Sequence, residues 1–179
     1  MTLTLGGRIQ TRLVLMSSVG LLWTLAMARF FPRPAGVSLR LAYQITLGTA
    51  ITMTVFGIAW EVVYHGLQQL RWDKDWPSVL GLLAGPVEAV PVWLALHALG
   101  IVPGDWGLST PFLMLFAMHF SSTSMVVWLA GQGPLRVIQP RWRFEGGTFS
   151  RRPPSLTVPF LVTYIGMLFV LGALWLAGR

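Results

Sequence analysis

Cysteine is absent from the 179 residues. That removes disulfides, thiolate metal sites, iron–sulfur ligation and thiol nucleophiles together. Charge is nearly as scarce: thirteen Lys+Arg and six Asp+Glu make up 11% of the chain, where a soluble domain carries about 25%. A water-soluble globule of this length has to cover its surface with polar groups, and this chain does not supply them. With 54% hydrophobic residues, intrinsic disorder is excluded as well, because it needs the opposite composition. Lysine occurs once, at Lys74, so the net charge of +7 rests on arginine. No phosphate-cradling glycine loop, no G-x-S-x-G nucleophile elbow and no H-E-x-x-H metal signature is present. The composition points to an integral membrane protein, and nucleic acid is not among its expected partners.

A bilayer-crossing helix needs about 20 mostly apolar residues. Five stretches qualify, at 13–31, 41–67, 79–102, 111–129 and 156–177, and predict an all-α bundle of five transmembrane helices forming a single membrane domain over 1–179. Their breaks carry turn and breaker residues: Pro32 and Pro34, Asp75-Trp76-Pro77, Pro103-Gly104-Asp105, and Pro153-Pro154. Ala26-Met27-Ala28, following a basic N-terminus, also fits a signal-peptide cleavage site, and cleavage there would leave four spans. The stretch is read here as a retained span.

Basic residues set the expected orientation. Five spans place Arg8, Arg12, Arg71, Lys74, Arg136, Arg141, Arg143, Arg151 and Arg152 on one side, and Arg29, Arg33, Arg40 and Arg179 on the other. Nine against four predicts a multi-pass protein of the cytoplasmic (inner) membrane with its N-terminus in the cytoplasm. Trp60, Trp72, Trp76, Trp106, Trp128, Trp142 and Trp175 fall near span ends, where indole rings prefer the headgroup layer.

Ionisable groups inside spans are costly, about 2.5–3.5 kcal/mol each near the centre on insertion scales, and are candidates for function by default. Glu61 and His65 stand four residues apart and share a helical face, suited to sharing a proton or, with a third ligand, to holding a metal; anchoring a partly wet helix end is the structural alternative. Glu88 lies between Pro86 and Pro91, about ten residues into its span, where proline frees backbone carbonyls beside a carboxylate. His119 precedes the hydroxyl run Ser121-Ser122-Thr123-Ser124 and lies at a similar depth, so a Glu88–His119 contact is a working expectation. His97 is nearer its span's outer end. No cofactor or metal is implied, and no spacing marks a catalytic site.

Two loops on the predicted inner face mix charge with aromatics. The first holds Arg71, Trp72, Asp73, Lys74, Asp75 and Trp76; the second alternates through Arg141, Trp142, Arg143 and Phe144. Arginine and tryptophan are enriched at protein interfaces and also suit anionic headgroups. Asp73 and Asp75 would be repelled by such lipid, which favours a salt-bridged turn or a protein partner. The strings WEVVYHGLQQLRWDKDWPSVLGLLAG and GPLRVIQPRWRFEGGTF resemble segments of small, uncharacterised polytopic membrane proteins of actinobacterial type, some of them associated with gene clusters of contractile injection systems. The resemblance covers about half of the chain, carries no catalytic residue, and implies a membrane component or docking partner of a larger assembly.

Two functions follow as expectations. In the first, the chain is a non-enzymatic membrane subunit or anchor that docks a protein at the cytoplasmic face through Arg71, Trp72, Asp73, Lys74, Trp76, Arg141, Trp142 and Arg143. In the second, it is a small transporter or proton/cation-conducting protein using Glu88, with His119 and the Glu61/His65 pair. The test that separates them is whether Glu88 lines a water-accessible cavity.

Overall fold

The computed structural model describes residues 4–73, 77–102 and 110–149, with Ser78, Thr110, Arg141 and Arg143 described by backbone alone. The expected fifth span at 156–177, together with Lys74, Asp75 and Trp76, lies outside the described residues.

Among the described residues, four helices are long and apolar enough to cross a membrane. Helix α1 runs Leu5–Phe30 and carries a π-helical turn at Met16–Gly20. Helix α2 spans Leu39–Leu70, α3 Ser78–Ala98 and α4 Thr110–Gln132. Two short helices follow, α5 (Pro134–Ile138) and α6 (Pro140–Phe144), in the stretch the sequence predicts as a loop. No strand occurs among the described residues.

The first span starts earlier than its hydropathy suggests. Thr4 caps α1 by accepting a hydrogen bond from the Gly7 N–H at 3.0 Å, and the helix then runs through Arg8 and Arg12, which the sequence places in a flanking segment. A hydropathy window penalises each arginine separately; the acids that compensate them stand on other helices. Ser38 caps α2 in the same way, accepting from the Leu41 N–H at 3.2 Å. Helix α3 continues through Pro86 and Pro91, each of which leaves the carbonyl four residues upstream without its helical donor.

Helix α2 is the centre of the bundle. Its apolar window is 61% buried, against 22–33% for the other three helices, and it packs on α1, α3 and α4. The reason is its stripe of small residues: Ala42, Thr46, Thr49, Ala50 and Gly57 are all buried, which brings neighbouring backbones close. The buried Thr46, Thr49, Thr52 and Thr54 hydroxyls donate to carbonyls four residues back, at 2.7–2.8 Å, so they add no unsatisfied group. Against this stripe Met16, Met53, Val92, Leu96, Phe116 and Phe120 form the apolar core, with the Phe116 ring 4.9 Å from Trp93 and 5.5 Å from Phe120.

The segment after α6 returns to the start of the chain. The Thr4 N–H donates to the Gly146 carbonyl at 2.9 Å, the Thr11 hydroxyl to the Gly147 carbonyl at 3.1 Å, and the Phe149 N–H to Gln10 Oε1 at 2.9 Å. Gly146 and Gly147 have φ of +63° and +86°, a conformation glycine adopts without steric penalty. Gly7 permits the contact, since a Cβ there would run into the Gly146 carbonyl oxygen. These bonds strap residues 142–149 along one face of α1.

Candidate functional site

Arg8 and Arg12 are four residues apart on α1 and project from one face. Opposite them α2 presents Glu61, Tyr64 and Gln68, three and four residues apart, and α3 presents Glu88. The Arg12 guanidinium grips Glu88 with two parallel bonds, Nη1 to Oε2 at 2.9 Å and Nη2 to Oε1 at 3.0 Å. Its Nε donates to Glu61 Oε1 at 3.1 Å, and Nη1 also reaches the Met53 carbonyl at 3.3 Å. Arg8 donates to Glu61 Oε2 at 3.3 Å and to Gln68 Oε1 through Nε at 3.2 Å and Nη2 at 2.7 Å. The Tyr64 hydroxyl donates to Glu88 Oε1 at 3.1 Å.

The result is a chain of alternating charge, Arg8–Glu61–Arg12–Glu88, closed by Tyr64 and formally neutral. Arg8 and Glu88 are 5% and 7% exposed. Buried charges persist when they are paired and hydrogen-bonded, and bidentate Arg–carboxylate pairing supplies both. Space for it comes from Gly57: a Cβ at that position would overlap the Arg12 guanidinium.

The charge chain forms part of the wall of a cavity of about 650 Å³, walled by α1 to α4 and by α5 and α6. Glu61, Tyr64, Glu88, Arg8 and Arg12 line it, as do Ser124, Trp128, Gln132, Arg136 and Trp142; Leu15, Met16, Met53, Ala84 and Val127 supply its apolar lining. These residues come from the first half of α1 and α3 and the second half of α2 and α4, so the cavity lies toward the end of the bundle that holds Arg8, Arg71 and Arg136.

The remaining candidates separate into distinct places. The Glu61 carboxylate faces the two arginines, while His65, one turn on, has its Nδ1 buried without a hydrogen-bond partner. His119 meets α1 instead of Glu88: its Nε2 lies 3.0 Å from the Thr24 hydroxyl and 3.3 Å from that of Thr123. The Thr24 proton is committed to the Gly20 carbonyl at 2.7 Å, so Thr24 accepts from Nε2–H. His119 Nδ1 is then the unprotonated nitrogen, and it is buried without a partner. The expected Glu88–His119 contact is not made: Glu88 meets Arg12 and His119 meets Thr24, twelve residues further along α1. His97 Nδ1 lies 3.0 Å from the Trp93 carbonyl near the end of α3. Among the described residues no group of three His, Asp or Glu is placed to hold a metal ion.

In the first loop Arg71 and Asp73 close a salt-bridged turn through two bonds of 3.0 and 2.9 Å, and Trp72 beside them is 94% exposed. Trp142 is buried; its indole N–H donates to the Thr11 hydroxyl at 2.6 Å. Arg141 and Arg143 flank it on α6.

Sequence reasoning singles out Glu61 and Glu88 but treats Arg8 and Arg12 as topological charges, and it passes over Tyr64, Gln68 and Arg136. The available signal is the four-residue spacing of Arg8 and Arg12 next to an apolar run that holds no acid. Comparison with protein-family models, with curated proteins and with solved structures finds no match to the chain.

Proposed function

We propose that this chain is an integral membrane protein of the inner membrane that admits a small ligand into the cavity between α1 and α4, and so functions as a small transporter or carrier with Glu88 in its working wall. The observation that carries this reading is the position of Glu88. Its carboxylate, joined to Arg12 and Tyr64, faces a cavity of ligand size in place of close-packed side chains. The guanidinium bound across Glu88 disfavours a bare cation as cargo, because a positive charge already occupies the carboxylate. A histidine relay from Glu88 through His119 gains no support, since His119 is sealed against Thr24 and Thr123.

The lack of native cysteine makes the test clean. A Cβ at Gly85, on the cavity lining, meets nothing within 4 Å, so Gly85→Cys introduces a thiol without displacement. In membrane vesicles this thiol is expected to react with a water-soluble, membrane-impermeant maleimide from one side only. The same thiol at Val87 or Val90, both more than half exposed on the outer surface of the bundle, is expected to stay unlabelled. Failure of Gly85→Cys to label overturns the cavity reading.

A second reading, an anchor or subunit that docks a protein at the same end, is favoured by one observation. Trp72 stands 94% exposed, and Val137, Ile138 and Phe144 on α5 and α6 are each more than 70% exposed. The actinobacterial-type resemblance fits the same reading. It predicts that Trp72→Ala, or charge reversal at Arg141 and Arg143, abolishes stoichiometric co-purification of a partner from native membranes while insertion persists. Unchanged co-purification removes it.

A further inference from the structure

We infer that the cavity takes an anionic amphiphile, with one negative headgroup held by Arg136 and an apolar tail lying along Leu15, Met53 and Val127. The inference rests on the cavity reading above and adds the chemical class of the ligand.

It starts from charge. Three guanidinium groups and two carboxylates line the cavity. Arg8 and Arg12 are matched by Glu61 and Glu88. Among the described residues no carboxylate is paired with Arg136: the group it meets is the Gln132 side-chain carbonyl, a neutral acceptor one helical turn back. Among the described residues the wall therefore carries one excess positive charge. At the mouth of a cleft with apolar walls, such a charge attracts an anion. Arg136 is itself exposed and sits on α5, next to Trp142 and Gln132 at the arginine-rich end. A charged headgroup can thus reach it without crossing the apolar part of the cavity.

Shape points the same way. Beyond the charge chain, Leu15, Met16, Met53, Ala84 and Val127 form an apolar part of the lining that suits methylene groups, with Ser124 and Trp128 as its polar neighbours. Ligand sites of this volume combine an apolar body with a few placed polar groups. A planar guanidinium pairs with carboxylate or phosphate through parallel bonds. The shared chemistry is an oxyanion on an alkyl chain, supplied by either an anionic phospholipid or a free fatty acid.

Purified protein in mild detergent is titrated, under native mass spectrometry, with phosphatidylglycerol, phosphatidylcholine and palmitate separately. One bound phosphatidylglycerol or palmitate per chain is expected, with phosphatidylcholine held about tenfold more weakly, because its choline cation cancels the net negative charge that Arg136 would meet. Retention of phosphatidylglycerol assigns the phospholipid source; retention of palmitate alone assigns the fatty acid. Arg136→Gln is expected to abolish the preference and Arg136→Lys to keep most of it. Added ligand is also expected to protect Gly85→Cys from maleimide, which places binding inside the cavity. Equal binding of phosphatidylcholine, an unaltered Arg136→Gln, or no protection overturns the inference. If Gly85→Cys still labels in that case, the cavity stands and only its ligand class is wrong; if it never labels, the cavity reading falls as well.

Discussion

Arg12 and Glu88 face each other across two helices and 76 residues of sequence, joined by two parallel hydrogen bonds of 2.9 and 3.0 Å. The contact fixes the depth of α1 against α3. Arg12 also bonds Glu61, so the same guanidinium locks α1 onto α2. One side chain thereby sets the relation of three helices.

Glu88→Gln is expected to destabilise the protein by about 3–5 kcal/mol, the usual result of leaving one member of a buried ion pair uncompensated. Arg12→Gln should behave similarly. The double substitution should be less damaging than the sum of the two, because it removes both charges. Thermal unfolding of the four proteins in one detergent checks this, and strict additivity would show that the two groups do not interact.

Gly57→Ala should lower stability by about 1–3 kcal/mol, the range for an overpacked interior, because its methyl group takes the space of the Arg12 guanidinium. Gly66→Ala on the same helix is the control. Nothing lies within 4 Å of a Cβ there, and alanine is favoured over glycine in a helix by up to about 1 kcal/mol. The two substitutions should therefore move the melting temperature in opposite directions.

Gly7→Ala places a methyl group against the Gly146 carbonyl oxygen, a backbone atom that cannot swing aside. The strap over 142–149 is expected to detach from α1. Limited trypsin digestion should then cut after Arg141 and Arg143 faster than in the unaltered protein. Gly6→Ala, where a Cβ meets nothing within 4 Å, should leave the cleavage rate unchanged.

Thr24→Val removes the acceptor of the His119 Nε2–H bond and leaves a buried donor weakened, at about 1–3 kcal/mol. Because neither residue lines the cavity, maleimide labelling of Gly85→Cys should be unaffected. Loss of labelling would show that His119 communicates with the cavity.

Composition by itself pointed to long apolar helices, which satisfy their own backbone groups, and four helices of that kind stand among the described residues. Local patterns also placed four of the helices to within a few residues, apart from the start of the first, and singled out Glu61 and Glu88 as acids in an apolar setting. What the sequence withheld was pairing. Arg8 and Arg12 read as flanking charges because their compensating acids lie 49 to 76 residues away, and a local window has no access to that distance. Counting inward from the span ends suggested Glu88 beside His119, but such a count does not fix which neighbour a side chain meets, and the two contact α1 twelve residues apart. The rotation of α4 brings His119 to Thr24. Only the tertiary structure decided that Gly57 leaves room for a guanidinium, that Trp142 turns inward onto Thr11, and that four helices meet around a cavity with Arg136 at its edge. Each of these depends on how the helices are turned about their axes, and that is set by packing contacts between residues far apart in the chain.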